Sequence, residues 1–489
     1  MSGEAGLSET AATPFASISG HLRQLVQAMN LSLSSNPHPV EPVAARHGSL
    51  PSAPVHPDLH LFETELGPHI FLVNGSQVYG CSRPDYARLL AACGQQGQER
   101  LEDLLRDFGL ESPPLIDDLP VSGPPLRALS LAVAQKCNLG CSYCYAQQGD
   151  FGGPSKQMPI PVALAAVDRL FVEAEPGERV HLAFLGGEPL VARDTIRAAT
   201  HRATGLAEAS GVQVGFSITT NGTLLTIDDA DFFERHAFAV SISLDGVGAT
   251  HDRQRPFKGG RGSYARILER VEPLLTRQSR MQVSARVTVT PRNLQLIRTL
   301  TELLALGFHS VGFSPMLSAP SGRDEMDAAA LTIMLEQMVA CGLEFEREVE
   351  AGRRYPFANM TNAMKEIHRG THRPYPCGAG AGYLGVSADG DLSACHRFVN
   401  DESGAMGSLA TGVDRARQNE WLSTRHVHRQ EPCRSCWARY LCGGGCHAEV
   451  IAAGRAGCDY IRGWLEQCMK IYTRSLSERP DLFERTVVL

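Results

Sequence analysis

The chain has 489 residues, enough for about two to four domains at roughly 100–200 residues each. It is 43% hydrophobic and 20% charged, so most of it can bury a core. Lys+Arg 46 against Asp+Glu 53 leaves a net charge of -7, which argues against nucleic acid or an anionic membrane as partner, since both call for a basic surface. No apolar run is read as approaching the ~20 residues of a membrane span, and MSGEAGLSETAATPFASISG lacks a basic segment before an apolar core. The expected location is therefore cytoplasmic. The 14 cysteines are the most informative feature: in a large chain with no export signal, closely spaced thiols read as metal ligands, not as a disulfide framework.

Residues 1–57, rich in Ser, Ala, Pro and His, are expected to be disordered or loosely ordered. Residues 58–112 suggest a small module. His60–Glu65 alternates like a strand, and Asn74-Gly75 between two apolar runs predicts a hairpin with a type I′ turn. Ser82 then caps a helix with Pro84 in its first turn, and a second helix carries Leu101, Leu104, Leu105 and Phe108 on one face. Residues 113–126, rich in proline, form a linker.

From 127 to 318, strand-like and helix-like segments alternate, beginning at Leu129, Leu131 and Val133 and continuing through VHLAFL, VQVGFSI, FAVSISL, MQVSARVTV and SVGFSPM. That order predicts an α/β fold: a parallel sheet with right-handed crossovers, six β/α units in an open or partial barrel, and functional loops at the C-terminal ends of the strands. Residues 319–376 read as a helical bridge, 377–468 as a Cys- and Gly-rich domain, and 469–489 as a C-terminal tail. Cys81, Cys93 and Cys341 stand alone and read as packing residues.

The first strand of the 127–318 segment runs into Cys137-Asn-Leu-Gly-Cys141-Ser-Tyr-Cys144. A [4Fe–4S] cluster normally takes four thiolates; three local ones would leave an iron open, while a zinc site completed by a distant ligand is the competing reading. Gly186-Gly187-Glu188-Pro189 follows the second strand, Thr219-Thr220-Asn221-Gly222 the third, and Ser243-Leu244-Asp245-Gly246 the fourth, with Arg255 beyond. This ordered set resembles the radical S-adenosylmethionine (radical SAM) superfamily over roughly Arg127–Leu317. The resemblance implies a partial (β/α)6 barrel binding a [4Fe–4S] cluster and S-adenosylmethionine. It places Tyr143 near the adenine, Gly187 and Glu188 at the methionine amine, and Ser243 and Arg255 at the ribose and carboxylate. Val311 would line the adenine pocket. The cofactor pair would generate a 5′-deoxyadenosyl radical, with the protein supplying orientation and dryness.

Cys377 is followed by twelve residues, Gly390, four residues and Cys395; then come Cys433-x2-Cys436-x5-Cys442-x3-Cys446 and Cys458. This is similar to the SPASM extension of peptide-modifying radical SAM enzymes, which carries two auxiliary clusters. The resemblance assigns Cys433, Cys436, Cys442 and Cys458 to a distal [4Fe–4S] cluster, and Cys377, Cys395 and Cys446 to a proximal one with a further ligand position. A zinc site at Cys433, Cys436, Cys442 and Cys446 remains the alternative. Cys468 fits either an apolar helix face or a cluster. Gly380-x-Gly382-x-x-Gly385 fits a dinucleotide fingerprint but lacks its strand–turn–helix setting.

The implied substrate is a ribosomally made peptide or small protein, with an electron donor such as flavodoxin or ferredoxin. Residues 58–112 resemble winged-helix-like peptide-recognition elements, with a plain accessory or dimerisation module as the other reading. The segments around Cys433–His447 and Cys458–Cys468 look like thioether-forming maturases, most of all those acting on the small subunit of quinohemoprotein amine dehydrogenase, which join Cys sulfur to Asp or Glu methylenes. Asp245 is the candidate catalytic base, or else a residue that shapes its turn. The alternative is another SPASM maturase, such as the anaerobic sulfatase maturases that make formylglycine; these carry Asp after the cysteine that corresponds to Cys395, where this chain has His396.

Overall fold

The computed structural model describes residues 56–94, 98–111 and 113–483. The segment expected to be loosely ordered, 1–57, lies almost wholly outside them, as does the end of the expected tail. The first elements among the described residues are three strands, β1 (Leu59–Thr64), β2 (Gly67–Leu72) and β3 (Gln77–Gly80), in an antiparallel meander. Helices α1 (Arg83–Ala92) and α2 (Gln98–Asp107) follow. Leu59, Leu61, Ile70, Leu72, Leu89 and Leu101 form their shared core, so alternation on the strands and the 3.6-residue period on the helices meet on one face. Ser82 caps α1, accepting from Asp85 N, as its sequence position predicts.

The hairpin turn differs from expectation. Ser76 N donates to Val73 O across Asn74-Gly75, but only Gly75 of that pair has positive φ, at 101°. The turn is thus type II-like, not type I′. The Asn74 side chain is drawn away to bridge the linker, donating to Pro113 O and accepting from Leu115 N.

The alternating segment forms β4 (Ala128–Gln135), a short β5 (Lys156–Gln157), α3 (Ile160–Phe171), β6 (Arg179–Gly186), α4 (Arg193–Ser210), β7 (Gln213–Thr220), α5 (Ile227–Arg235), β8 (Ala239–Ser243), α6 (Ala249–Gln254), α7 (Tyr264–Arg277), β9 (Gln282–Val289), α8 (Leu296–Ala305) and β10 (Ser310–Pro315). Strands β4, β6, β7, β8, β9 and β10 pair in parallel in that order, the predicted six-unit sheet. Residues on one face of these strands, such as Leu129, Leu182, Ile218, Val240 and Val287, are buried.

Beyond it lie α9 (Ala328–Glu350), α10 (Ala358–His368), β11 (Tyr383–Val386), β12 (Asp391–Ser393), β13 (Ala405–Ser408), β14 (Gly412–Val413), α11 (Arg415–Arg425), α12 (Arg439–Cys442), α13 (His447–Ala453) and α14 (Cys458–Glu478). Strand β11 pairs in parallel with β4, and β12, β13 and β14 continue antiparallel from it. The Cys-rich segment therefore extends the barrel sheet, and all described residues lie in one unit, Ala53–Leu489. Helix α14 also crosses the boundary expected at 468/469. Among the described residues one helix, α9, is long and apolar enough to cross a membrane by length and composition, a longer stretch than the sequence reading anticipated. It packs along α14 and α8. Gly342 gives α9 its closest approach to its neighbours, since a Cβ there would come within 2.9 Å of Ile471 and Met360.

Candidate active site

The end of β4 leads directly into the three-cysteine loop. Cys137, Cys141 and Cys144 are free thiols that share an apolar pocket with Leu139, Tyr143, Phe257, Met316 and Ala319. Two glycines let β6 end against this loop. A Cβ on Gly186 would stand 2.3 Å from Ala134 O, and one on Gly187 only 2.4 Å from Lys136 O and 2.6 Å from Gly149 Cα. With no side chains there, Gly187 N reaches Ala134 O and Glu188 N reaches Lys136 O. The Gly187 and Glu188 backbone is thus clamped to the root of the loop.

The Glu188 side chain turns into the core. It is fully buried and accepts from Thr220 Oγ1 at 2.7 Å, Asn221 N at 2.8 Å and Leu190 N at 3.0 Å, tying β6 to β7. Burial pushes this carboxyl up, against those three donors. Three donors hold the carboxylate inward, so the backbone is the part of Glu188 that meets the loop. Val311 is also fully buried, with its backbone N bonded to Pro356 O. Ser243 ends β8, half-buried.

Tyr143, Asp245 and Arg255 come together from three separate segments. The Tyr143 hydroxyl donates to Asp245 Oδ2 and accepts from Arg255 Nη1 at 2.6 Å, and Arg255 Nη1 lies 3.7 Å from Asp245 Oδ2. Asp245 Oδ1 accepts from Thr288 N at 3.0 Å. The Asp245 side chain is 0% exposed, so burial pushes its carboxyl up while Arg255, Tyr143 and Thr288 N–H pull it down. Both oxygens are engaged and the side chain is buried, so the carboxylate braces Tyr143 and Arg255.

The residues fit a cofactor pair in two respects. Arg255 Nε is buried without a partner, leaving one guanidinium donor for an anionic or hydroxyl ligand. Cys137, Cys141 and Cys144 lie near enough to sense one another's charge, and three thiolates are what a [4Fe–4S] cluster with one open iron would take. Burial pushes the Cys141 thiol up to about 12, so a metal must displace its proton.

Cys433, Cys436, Cys442, Cys446 and Cys458 all line one cavity, beside Arg455 and Arg462. Cys433 is pushed up to about 11 by burial, and its neighbouring thiols are Cys442, Cys458 and Cys436. Cys377, Cys395 and Cys446 form a second, overlapping set: burial pushes Cys395 up to about 12, with Cys446 and Cys377 as its neighbours. Cys468 belongs to neither; it is fully buried on α14 and burial alone raises its thiol. The glycines of the false dinucleotide fingerprint make room for packing, Gly380 against the Trp421 ring and Gly385 against the Cys395 backbone.

Two features were given no role of their own in the sequence reading. His396 lies beside the proximal group, with Nδ1 2.9 Å from Tyr383 OH and its ring edge-on to Tyr145 at 5.7 Å. Burial and Arg397 lower it to about 4, leaving a neutral ring. The other is the seat of the first module. His60 stacks on Trp437 at 3.9 Å and pairs with Glu466 at 3.2 Å, and Arg439 holds Asp58 at 2.6 Å. Trp437 and Arg439 fall between Cys436 and Cys442. Position relative to the cysteines was the available signal in both cases.

Residues 131–304 match the family model of the Radical SAM superfamily. The chain thus carries a radical SAM domain, and its cofactors are S-adenosylmethionine and [4Fe–4S] iron–sulfur clusters. Among curated proteins it is similar to the serine-type anaerobic sulfatase-maturating enzyme of Klebsiella aerogenes, 27% identical over 347 residues, covering 68% of this chain and 83% of that one. It is also similar to the pre-heme d1 synthase of Dinoroseobacter shibae, 29% identical over 273 residues, covering 54% of this chain and 60% of that one. The fold resembles the solved structure of native anSMEcpe with bound AdoMet, at TM-score 0.60 and 18% identity over 72% of this chain and 99% of that one.

Proposed function

We propose that the protein is a radical SAM maturase of the SPASM type that oxidises a side chain in a ribosomally made polypeptide. The observation that supports this reading is the set of thiols the fold brings near one another: Cys137, Cys141 and Cys144 beside the unpaired Nε of Arg255, Cys377 and Cys446 about Cys395, and Cys436, Cys442 and Cys458 about Cys433. Bound S-adenosylmethionine and the reduced cluster supply a 5′-deoxyadenosyl radical, able to take hydrogen from an unactivated carbon. The chain's own residues do the rest. Cys137, Cys141 and Cys144 hold the cluster. Arg255, kept in place by Asp245 and Tyr143, offers Nε to the carboxylate or ribose of S-adenosylmethionine, with Ser243 nearby on the next strand end. Leu139, Phe257 and Met316 keep water away. Cys377, Cys395 and Cys446 hold the proximal auxiliary cluster, and Cys433, Cys436, Cys442 and Cys458 the distal one. The reductant is a low-potential carrier such as flavodoxin or ferredoxin, and β1–β3 with α1 and α2 recognise the polypeptide.

For the product, the similarity to the Klebsiella aerogenes enzyme over 83% of its length favours formylglycine formation. Thioether formation is the second reading, favoured by His396, which places an imidazole, not a carboxylate base, after Cys395. Anaerobic incubation of the reconstituted chain with S-adenosylmethionine, a reductant and polypeptides encoded nearby tests both. Formylglycine reacts with a hydrazide; a thioether consumes a thiol, loses two hydrogens and retains sulfur. Absence of 5′-deoxyadenosine above background would remove the proposal altogether.

A further inference from the structure

Asn221 follows the end of β7 and is 4% exposed. Its carboxamide is fully oriented by its neighbours. Oδ1 accepts from Thr223 N at 3.0 Å and from Thr223 Oγ1 at 2.6 Å, which fixes the oxygen end, since a backbone N–H can only donate. Nδ2 must then face the opposite way, where it donates to Asn138 Oδ1 at 2.9 Å and lies 3.6 Å from Cys137 Sγ. Asn138 Nδ2 returns to Thr223 Oγ1 at 2.8 Å, closing a ring of side chains between the turn after β7 and the cysteine loop. Asn221 N is itself held by Glu188 Oε2 at 2.8 Å. A second donor, Leu139 N, approaches the same sulfur at 3.4 Å.

We infer that Asn221 is a positioning residue for the radical SAM cluster, orienting Cys137 and raising the cluster's reduction potential through an amide N–H···S hydrogen bond to its sulfur. The inference rests on the reading that the Cys137 loop holds that cluster. A reduced cluster carries one more negative charge than its oxidised form. A donor aimed at a ligating sulfur stabilises the more negative state more strongly, so the bond makes reduction easier. The ring through Asn138 and Thr223 keeps the donor from turning away. Glu188 becomes part of the same device: it anchors the Asn221 backbone while its own backbone clamps the loop root.

The test is an anaerobic redox titration of the reconstituted full chain, following by electron paramagnetic resonance the cluster signal that changes on adding S-adenosylmethionine. Asn221→Leu removes the donor at similar volume; Asn221→Asp keeps the acceptor for Thr223 and removes the donor. Both should move the midpoint to lower potential, Asp further because it adds negative charge. Loss of the responsive signal in both variants with the auxiliary signals retained would support the orienting role. Full iron content with an unmoved midpoint in either variant would overturn the inference. A wild-type chain with no responsive signal would instead overturn the proposed function.

Discussion

Replacing Asp245 by Ala separates two roles for this carboxylate. The side chain is 0% exposed and Arg255 11% exposed, and the pair is 3.7 Å apart. Removing the carboxylate leaves Arg255 with Tyr143 OH as its remaining side-chain partner and leaves Thr288 N–H without its acceptor. Breaking a buried pair by deleting one member costs about 3–5 kcal/mol, because the other charge stays buried and unpaired. Asp245→Ala should therefore lower the stability of the cluster-free chain by about that amount in urea unfolding, and weaken S-adenosylmethionine binding by releasing Arg255. Asp245→Ala combined with Arg255→Met should be less destabilised than the sum of the single changes, since no lone charge remains. A base facing substrate would behave differently. Stability within ~0.5 kcal/mol of the parent and intact S-adenosylmethionine binding, with turnover alone lost, would refute the positioning role.

Other outcomes follow from the same geometry. Cys137→Ala should abolish S-adenosylmethionine cleavage, while Cys436→Ala should retain some cleavage and lose modified product; liquid chromatography of 5′-deoxyadenosine and mass spectrometry of the peptide check the two. Gly187→Ala should destabilise the chain by roughly 1–3 kcal/mol and lower its iron content, as its Cβ would meet the loop backbone. Burial alone would raise the Glu466 carboxyl, but hydrogen bonds from His60 and Lys470 overcome it and hold the group at about 2, below its ordinary 4.5. Its contribution to seating the first module is thus fully present above pH 4.5 and is lost as pH falls through about 2. Trp437 fluorescence should report this loss of the His60 stack, and Glu466→Gln should flatten the change; an equally large acid transition in that variant would count against it.

The six-strand alternation was legible because each strand is a short apolar run followed by an amphipathic helix. What escaped the sequence depends on contacts between distant segments. Strand β11 is four residues long with no periodicity of its own, and it belongs to the sheet only through its pairing with β4. Glu188 sits in a recognisable motif, yet the direction of its side chain is decided by donors elsewhere, Thr220 and Asn221. Asp245 likewise reads as a free carboxylate at a strand end until Tyr143 and Arg255 close over it. The Asn74-Gly75 hairpin was legible as a turn; its type was not, because Asn74 serves the linker.

Mössbauer spectroscopy of anaerobically purified protein, enriched in iron-57 and carrying Ala at the auxiliary cysteines, addresses the Cys137–Cys141–Cys144 loop directly. The expected result is a [4Fe–4S] spectrum in which one iron changes its parameters when S-adenosylmethionine is added. Zinc in that loop, or a cluster indifferent to S-adenosylmethionine, would contradict the function proposed for this chain.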